Sequence, residues 1–67
     1  MFEERLVLAD EVLFELMFRS ASDYRLACLK EGRVLVEYRS ASGYEFKSVE
    51  KLRYDFERDA EDALHQG

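Results

Sequence analysis

The run Leu6-Val-Leu-Ala-Asp-Glu-Val-Leu-Phe-Glu-Leu-Met-Phe18 places ten apolar side chains in thirteen positions, and its reading decides the fold. At about 100° per residue, Phe2, Leu6, Ala9, Val12, Leu13, Leu16 and Met17 fall on one arc of roughly 140°. Glu4, Glu11, Glu15 and Arg19 fall opposite. Glu3 and Glu4 at the start and Arg19 at the end have the signs that suit a helix dipole. The spacing therefore predicts a helix over about residues 2–19. Val7, Phe14 and Phe18 form a second apolar strip on that helix, set apart by Glu3 and Asp10. The core of so small a chain does not need this strip, so it is expected to be a contact surface.

Working outward, Ser20-Ala-Ser-Asp23 is a connector of small polar residues. Tyr24–Lys30 and Arg33–Arg39 read as strands around Glu31-Gly32, a two-residue loop whose glycine suits the positive φ of a tight hairpin. That register pairs Lys30 with Arg33, Leu29 with Val34, Ala27 with Val36 and Arg25 with Tyr38. It makes these residues the core face, and a one-residue bulge would exchange the two faces. Gly43 is placed to take a left-handed conformation before a third strand, Tyr44–Lys47, with Tyr44 opposite Tyr38. Ser48 caps a final helix, residues 49–64, with Val49, Leu52, Phe56, Ala60, Ala63 and Leu64 at helical spacing. Acid near its end opposes the dipole, so fraying is expected after about Leu64.

The chain is thus read as a single α+β domain, residues 1–67, in the order α-β-β-β-α. A three-stranded antiparallel sheet carries two helices packed on one face. Leu6, Ala9, Leu13, Leu16 and Met17 would meet Val34, Val36, Tyr44 and Phe46 in the core. This order resembles the layout of double-stranded-RNA-binding-like folds, in topology. The basic residues those domains place at the start of the last helix are largely missing: Lys47, Lys51 and Arg53 are interspersed with Glu50 and Asp55. No function is carried over from the resemblance.

Composition narrows the function. The chain has 67 residues and 48% apolar content, a globular value. Its single cysteine, Cys28, forms no internal disulfide, and no Cys/His cluster can hold a structural zinc. A small domain without staples commonly gains stability by association. The formal charge of −5 repels phosphate, so direct nucleic-acid binding is not expected, while a basic partner surface is favoured. The N-terminus MFEERL is acidic where a secretory signal needs positive charge, and the apolar run is too short and too acidic to span a membrane. A cytoplasmic location with no membrane association is expected.

His65, the only histidine, has no partner to orient it as a base. Cys28, between Ala27 and Leu29 in a strand, reads as a buried inert thiol. No phosphate-binding glycine loop or catalytic triad order is present. The expectation is a non-enzymatic protein without cofactor or metal: an acidic protein-interaction module, homodimeric through the first helix by Val7, Phe14 and Phe18, acting as adaptor or inhibitor. The alternative is an acidic nucleic-acid mimic of the mobile-element or phage type, with Asp55, Asp59 and Asp62 entering the basic groove of a nucleic-acid-binding protein. Phe18-Arg-Ser-Ala-Ser-Asp-Tyr24 also recurs as Tyr38-Arg-Ser-Ala-Ser-Gly-Tyr44. Both copies suit connectors; a functional pair of loops would lie at one end of the molecule.

Overall fold

The computed structural model describes residues 1–8, 11–41 and 43–66. Among them are four strands and one helix: β1 (Phe2–Val7), β2 (Val12–Ser20), β3 (Asp23–Lys30), β4 (Arg33–Arg39) and α1 (Val49–Gln66). The strands form one antiparallel sheet in the order β1-β2-β3-β4. The expected α-β-β-β-α layout is therefore corrected to β-β-β-β-α. Among the described residues the first helix is absent: Phe2–Val7 and Val12–Ser20 are paired strands, and Tyr44–Lys47 is not a strand.

The physical reason lies in the even-numbered positions. Phe2 and Leu6 on β1, then Val12, Phe14, Leu16 and Phe18 on β2, alternate with Glu3, Arg5 and Glu15, the period of a strand buried on one face. Register confirms it, with Phe2 opposite Phe18 and Leu6 opposite Phe14. Leu8 donates to the Val12 carbonyl at 2.7 Å, and Glu11 takes a φ of 60°, where the chain has reversed. Of the acids placed on the solvated side of the expected helix, Glu11 belongs to the hairpin connection, while Glu4 and Glu15 lie within β1 and β2. Ala9 and Asp10, assigned above to that helix, lie outside the described residues.

The β3–β4 hairpin turns at Glu31 (φ 52°) and Gly32 (φ 80°), the two positive angles of a type I′ turn. Lys30 faces Arg33 and Leu29 faces Val34 as the turn dictates. Beyond them the register shifts, and Leu35 is the extra residue on β4. Cys28 then faces Val36, Leu26 faces Tyr38 and Arg25 faces Arg39. This bulge corrects the expected pairs Ala27–Val36 and Arg25–Tyr38, and it exchanges the faces. The core face of β3 is Tyr24, Leu26 and Cys28.

α1 is capped by Ser48, whose Oγ accepts from Lys51 N–H at 3.1 Å. It runs two residues past the expected end at Leu64. Its stripe Leu52, Phe56 and Ala60 is fully buried against the even-numbered face of the sheet, with Leu16, Leu26 and Cys28. Aromatic rings close the two ends of this core. Phe18 stacks on Phe2 and Phe46, and Phe56 meets Phe14 and Tyr38 edge-on. Leu13 and Met17, expected in this core, point to the other face. The helix lies nearest β4, leaving β1 at the far edge.

Candidate protein-binding surface

One helix cannot cover both faces of a four-stranded sheet, so the odd-numbered face is open. Its side chains form three rows that cross all four strands by direct register. Val7, Leu13, Leu29 and Val34 make the first row. Arg5, Glu15, Ala27 and Glu37 make the second, and Glu3, Met17, Arg25 and Arg39 the third. With strands about 4.8 Å apart, each row is about 14 Å across.

The first row is entirely apolar. Val7 is 81% exposed and Val34 49%, with Leu13 and Leu29 half-buried between them. The other rows carry a chain of ion pairs: Arg5–Glu15 at 3.4 Å, Glu15–Arg25 at 3.7 Å, Arg25–Glu37 at 2.7 Å and Glu37–Arg39 at 3.9 Å. In the shortest of these, Arg25 Nε donates to a Glu37 carboxylate oxygen. The long side chains fold over Ala27, which is fully buried on a face that no other described element covers. Each pair is exposed enough to contribute only about 0–1 kcal/mol. Together they neutralise this half of the face and hold its side chains flat. A depression of about 460 Å³ is lined by Glu3, Arg5, Glu15, Met17 and Arg25, together with Glu4 and Leu16.

The strip Val7, Phe14 and Phe18 is divided by the sheet. Val7 lies on the open face. Phe14 is half-buried against Phe56 on the opposite face, and Phe18 is buried among Phe2, Tyr24 and Phe46. Asp55 and Asp59 sit in the seam between helix and sheet. Tyr44 donates to Asp55 at 2.7 Å, Lys51 to the same carboxylate at 3.1 Å, and Tyr38 donates to Asp59. Those donors hold the Asp55 carboxyl below its ordinary value, Tyr44 first and Lys51 next. Burial, then the bond to Asp55, pushes the Tyr44 phenol up to about 12, and burial with the Asp59 bond pushes Tyr38 up as well. Asp62 is exposed on the outer side of the helix.

Cys28 is fully buried, and burial pushes its thiol up, away from the thiolate a nucleophile needs. His65 is exposed near the end of α1. No group of three or more His, Cys, Asp or Glu is placed to hold a metal among the described residues. No helix among them is long and apolar enough to cross a membrane.

The two Arg-Ser-Ala-Ser copies come to the same end of the sheet, at the β2–β3 connection and just after β4. Each is closed by its flanking rings, Phe18 with Tyr24 at 6.0 Å and Tyr38 with Tyr44 at 5.1 Å. In the first copy Ser20 Oγ accepts from Ser22 N–H at 3.3 Å, so a hydroxyl is engaged in the turn itself. Ser42 of the second copy lies outside the described residues.

Comparison with known proteins finds no matching family, no matching curated protein and no matching solved structure. The open face had one legible signal in the sequence, the exposed apolar Val7. Its partners in the row were hidden by the bulge at Leu35, which decides that Leu29 and Val34 share a face with Val7 and Leu13.

Proposed function

We propose that this chain is a small, non-enzymatic protein-binding module, and that the open sheet face is the surface that meets its partner. One observation carries the reading: the cross-strand row Val7, Leu13, Leu29 and Val34 is apolar over all four strands and uncovered. Removing a valine side chain from water contributes on the order of 1.5 kcal/mol. An apolar row beside a belt of both charge signs has the composition of an interface, with a dry strip and a polar flank. The partner suited to it is a folded protein with its own apolar ridge, flanked by groups that can pair with Arg and Glu. As a binding module of this kind the chain acts as an adaptor or as an inhibitor that occludes the partner's ridge.

The test is affinity capture from extract of the source cells, with the native chain and with Leu29→Lys/Val34→Lys as baits. Circular dichroism and melting of the variant establish that it folds, and Val34→Lys alone serves if the double variant does not. The expected result is a defined protein retained by the native chain and lost from the variant. A protein held equally by both baits places the contact elsewhere and overturns the reading.

A further inference from the structure

The geometry points to a second interface, which borders the open face at Val7: two copies of this chain join through β1, edge to edge, in one antiparallel register, forming a continuous eight-stranded sheet.

Leu8 N–H bonds the Val12 carbonyl, so the even residues of β1 direct their backbone groups at β2. The N–H and C=O of Glu3, Arg5 and Val7 therefore point to the free edge. Such an edge is often guarded by a proline, a bulge, charged side chains or a covering element. The chain has no proline. β1 pairs with β2 without any shift of register, and α1 lies toward β4. The opposite edge is treated differently, since β4 is broken by the extra residue Leu35 and its Tyr38 packs against Tyr44 and against Phe56 of the helix. The charges on β1 are of both signs, and that is what makes it self-complementary.

Pairing outward groups of one β1 with those of another allows few registers. Centred on Arg5, the pairing sets Arg5 against Arg5 and Glu3 against Val7. Centred on Glu3, it sets Glu3 against Glu3 and Phe2 against Glu4. Centred on Glu4, it sets Glu3 against Arg5 twice, Phe2 against Leu6 twice and Met1 against Val7 twice. Only this last register matches charge to opposite charge and apolar to apolar at every pair away from the axis. It covers Met1, Val7 and Leu6, which are 95%, 81% and 40% exposed in the single chain. The two Glu4 carboxylates meet at the axis, each beside its own Arg53 at 3.8 Å. The twofold axis stands normal to the sheet, so both helices lie on one side and both open faces on the other.

Sedimentation equilibrium of the full chain at micromolar to millimolar concentration tests this. The expected mass is twice that of the chain. Arg5→Glu and Glu3→Arg, singly, should give folded monomers by circular dichroism, and the double variant Glu3→Arg/Arg5→Glu should restore the dimer. Oxidised Glu4→Cys should form an interchain disulfide, because directly opposed Cα atoms lie within about 4.5–5.5 Å. Glu3→Cys and Arg5→Cys should not; native Cys28 is fully buried and does not compete. A native chain that stays monomeric, a charge swap that fails to restore association, or cross-linking strongest at Arg5→Cys or Glu3→Cys overturns the proposal.

Discussion

Asp55 shows how much of this small fold rests on single side chains. Its carboxylate accepts from Tyr44 and Lys51 and ties the connector after β4 to the first half of α1. Because those bonds lower its pKa from the ordinary 3.8, its contribution to stability is present above that value and lost as pH falls through the lower, folded one. Tyr44 works in the opposite direction. Its pKa is raised from 10.0 to about 12, so its contribution is present below pH 10 and lost as pH rises through about 12. Tyr44→Phe removes the alkaline effect and the first of the two bonds behind the acid one, leaving that from Lys51. Thermal melts from acid to alkaline pH should show a midpoint a few degrees lower at neutral pH, with shallower losses at both extremes. Unchanged slopes would mean that the bond does not govern titration.

Glu31 makes a second point at this scale. It holds a φ of 52° beside Gly32, a conformation that suits Asn or Gly better than a longer side chain. Glu31→Asn creates the preferred pair for a type I′ turn and should raise stability by about 0.5–1 kcal/mol, measured by urea denaturation.

At the scale of the element, the lesson is why one hairpin was legible and the other was not. Glu31-Gly32 marks β3–β4 because two positive φ angles in a two-residue loop leave few residue choices. The segment 2–19 lacks such a mark. Its Leu, Met and Glu residues favour helices, and six apolar residues among Val12–Phe18 fit a period of 3.6 as well as one of 2. What decides between them is tertiary. As a hairpin, the segment adds two strands beside β3 and lets one helix serve all four; propensity yields to that burial. The open face is hidden in the sequence for a related reason. Leu35 shifts the register by one, and in a strand a shift of one exchanges every side chain between faces. Leu16 and Met17 separate the two readings experimentally. A helix would bury both on one arc, whereas the sheet sends Leu16 to the core at 2% exposure and Met17 to the open face. Leu16→Lys should abolish cooperative unfolding, and Met17→Lys should retain it. Equal loss in both would favour the helix.

Across the whole molecule, charge is sorted by layer. The open face balances Arg5, Arg25 and Arg39 against Glu3, Glu15 and Glu37. Three of the five excess negative charges lie on α1, where Glu50, Asp55, Glu57, Asp59, Glu61 and Asp62 outnumber Lys51, Arg53 and Arg58. Edge pairing through β1 would keep this division, placing both acidic helices on one side and two neutral, partly apolar faces on the other. The two sides then differ in how salt affects them. A contact made on the helix side is dominated by long-range charge and weakens as the Debye length shortens from about 10 Å at 0.1 M to about 3 Å at 1 M. A contact made on the open face rests on burial of Leu29, Val34 and their neighbours and is far less affected. Titration of the captured partner at low and high salt should therefore show affinity changing by less than about threefold, with Glu57→Gln/Glu61→Gln/Asp62→Asn binding as the native chain does. A loss of more than about tenfold in salt, reproduced by that charge-neutralised variant, would move the contact to the helix and make the acidic layer the working surface.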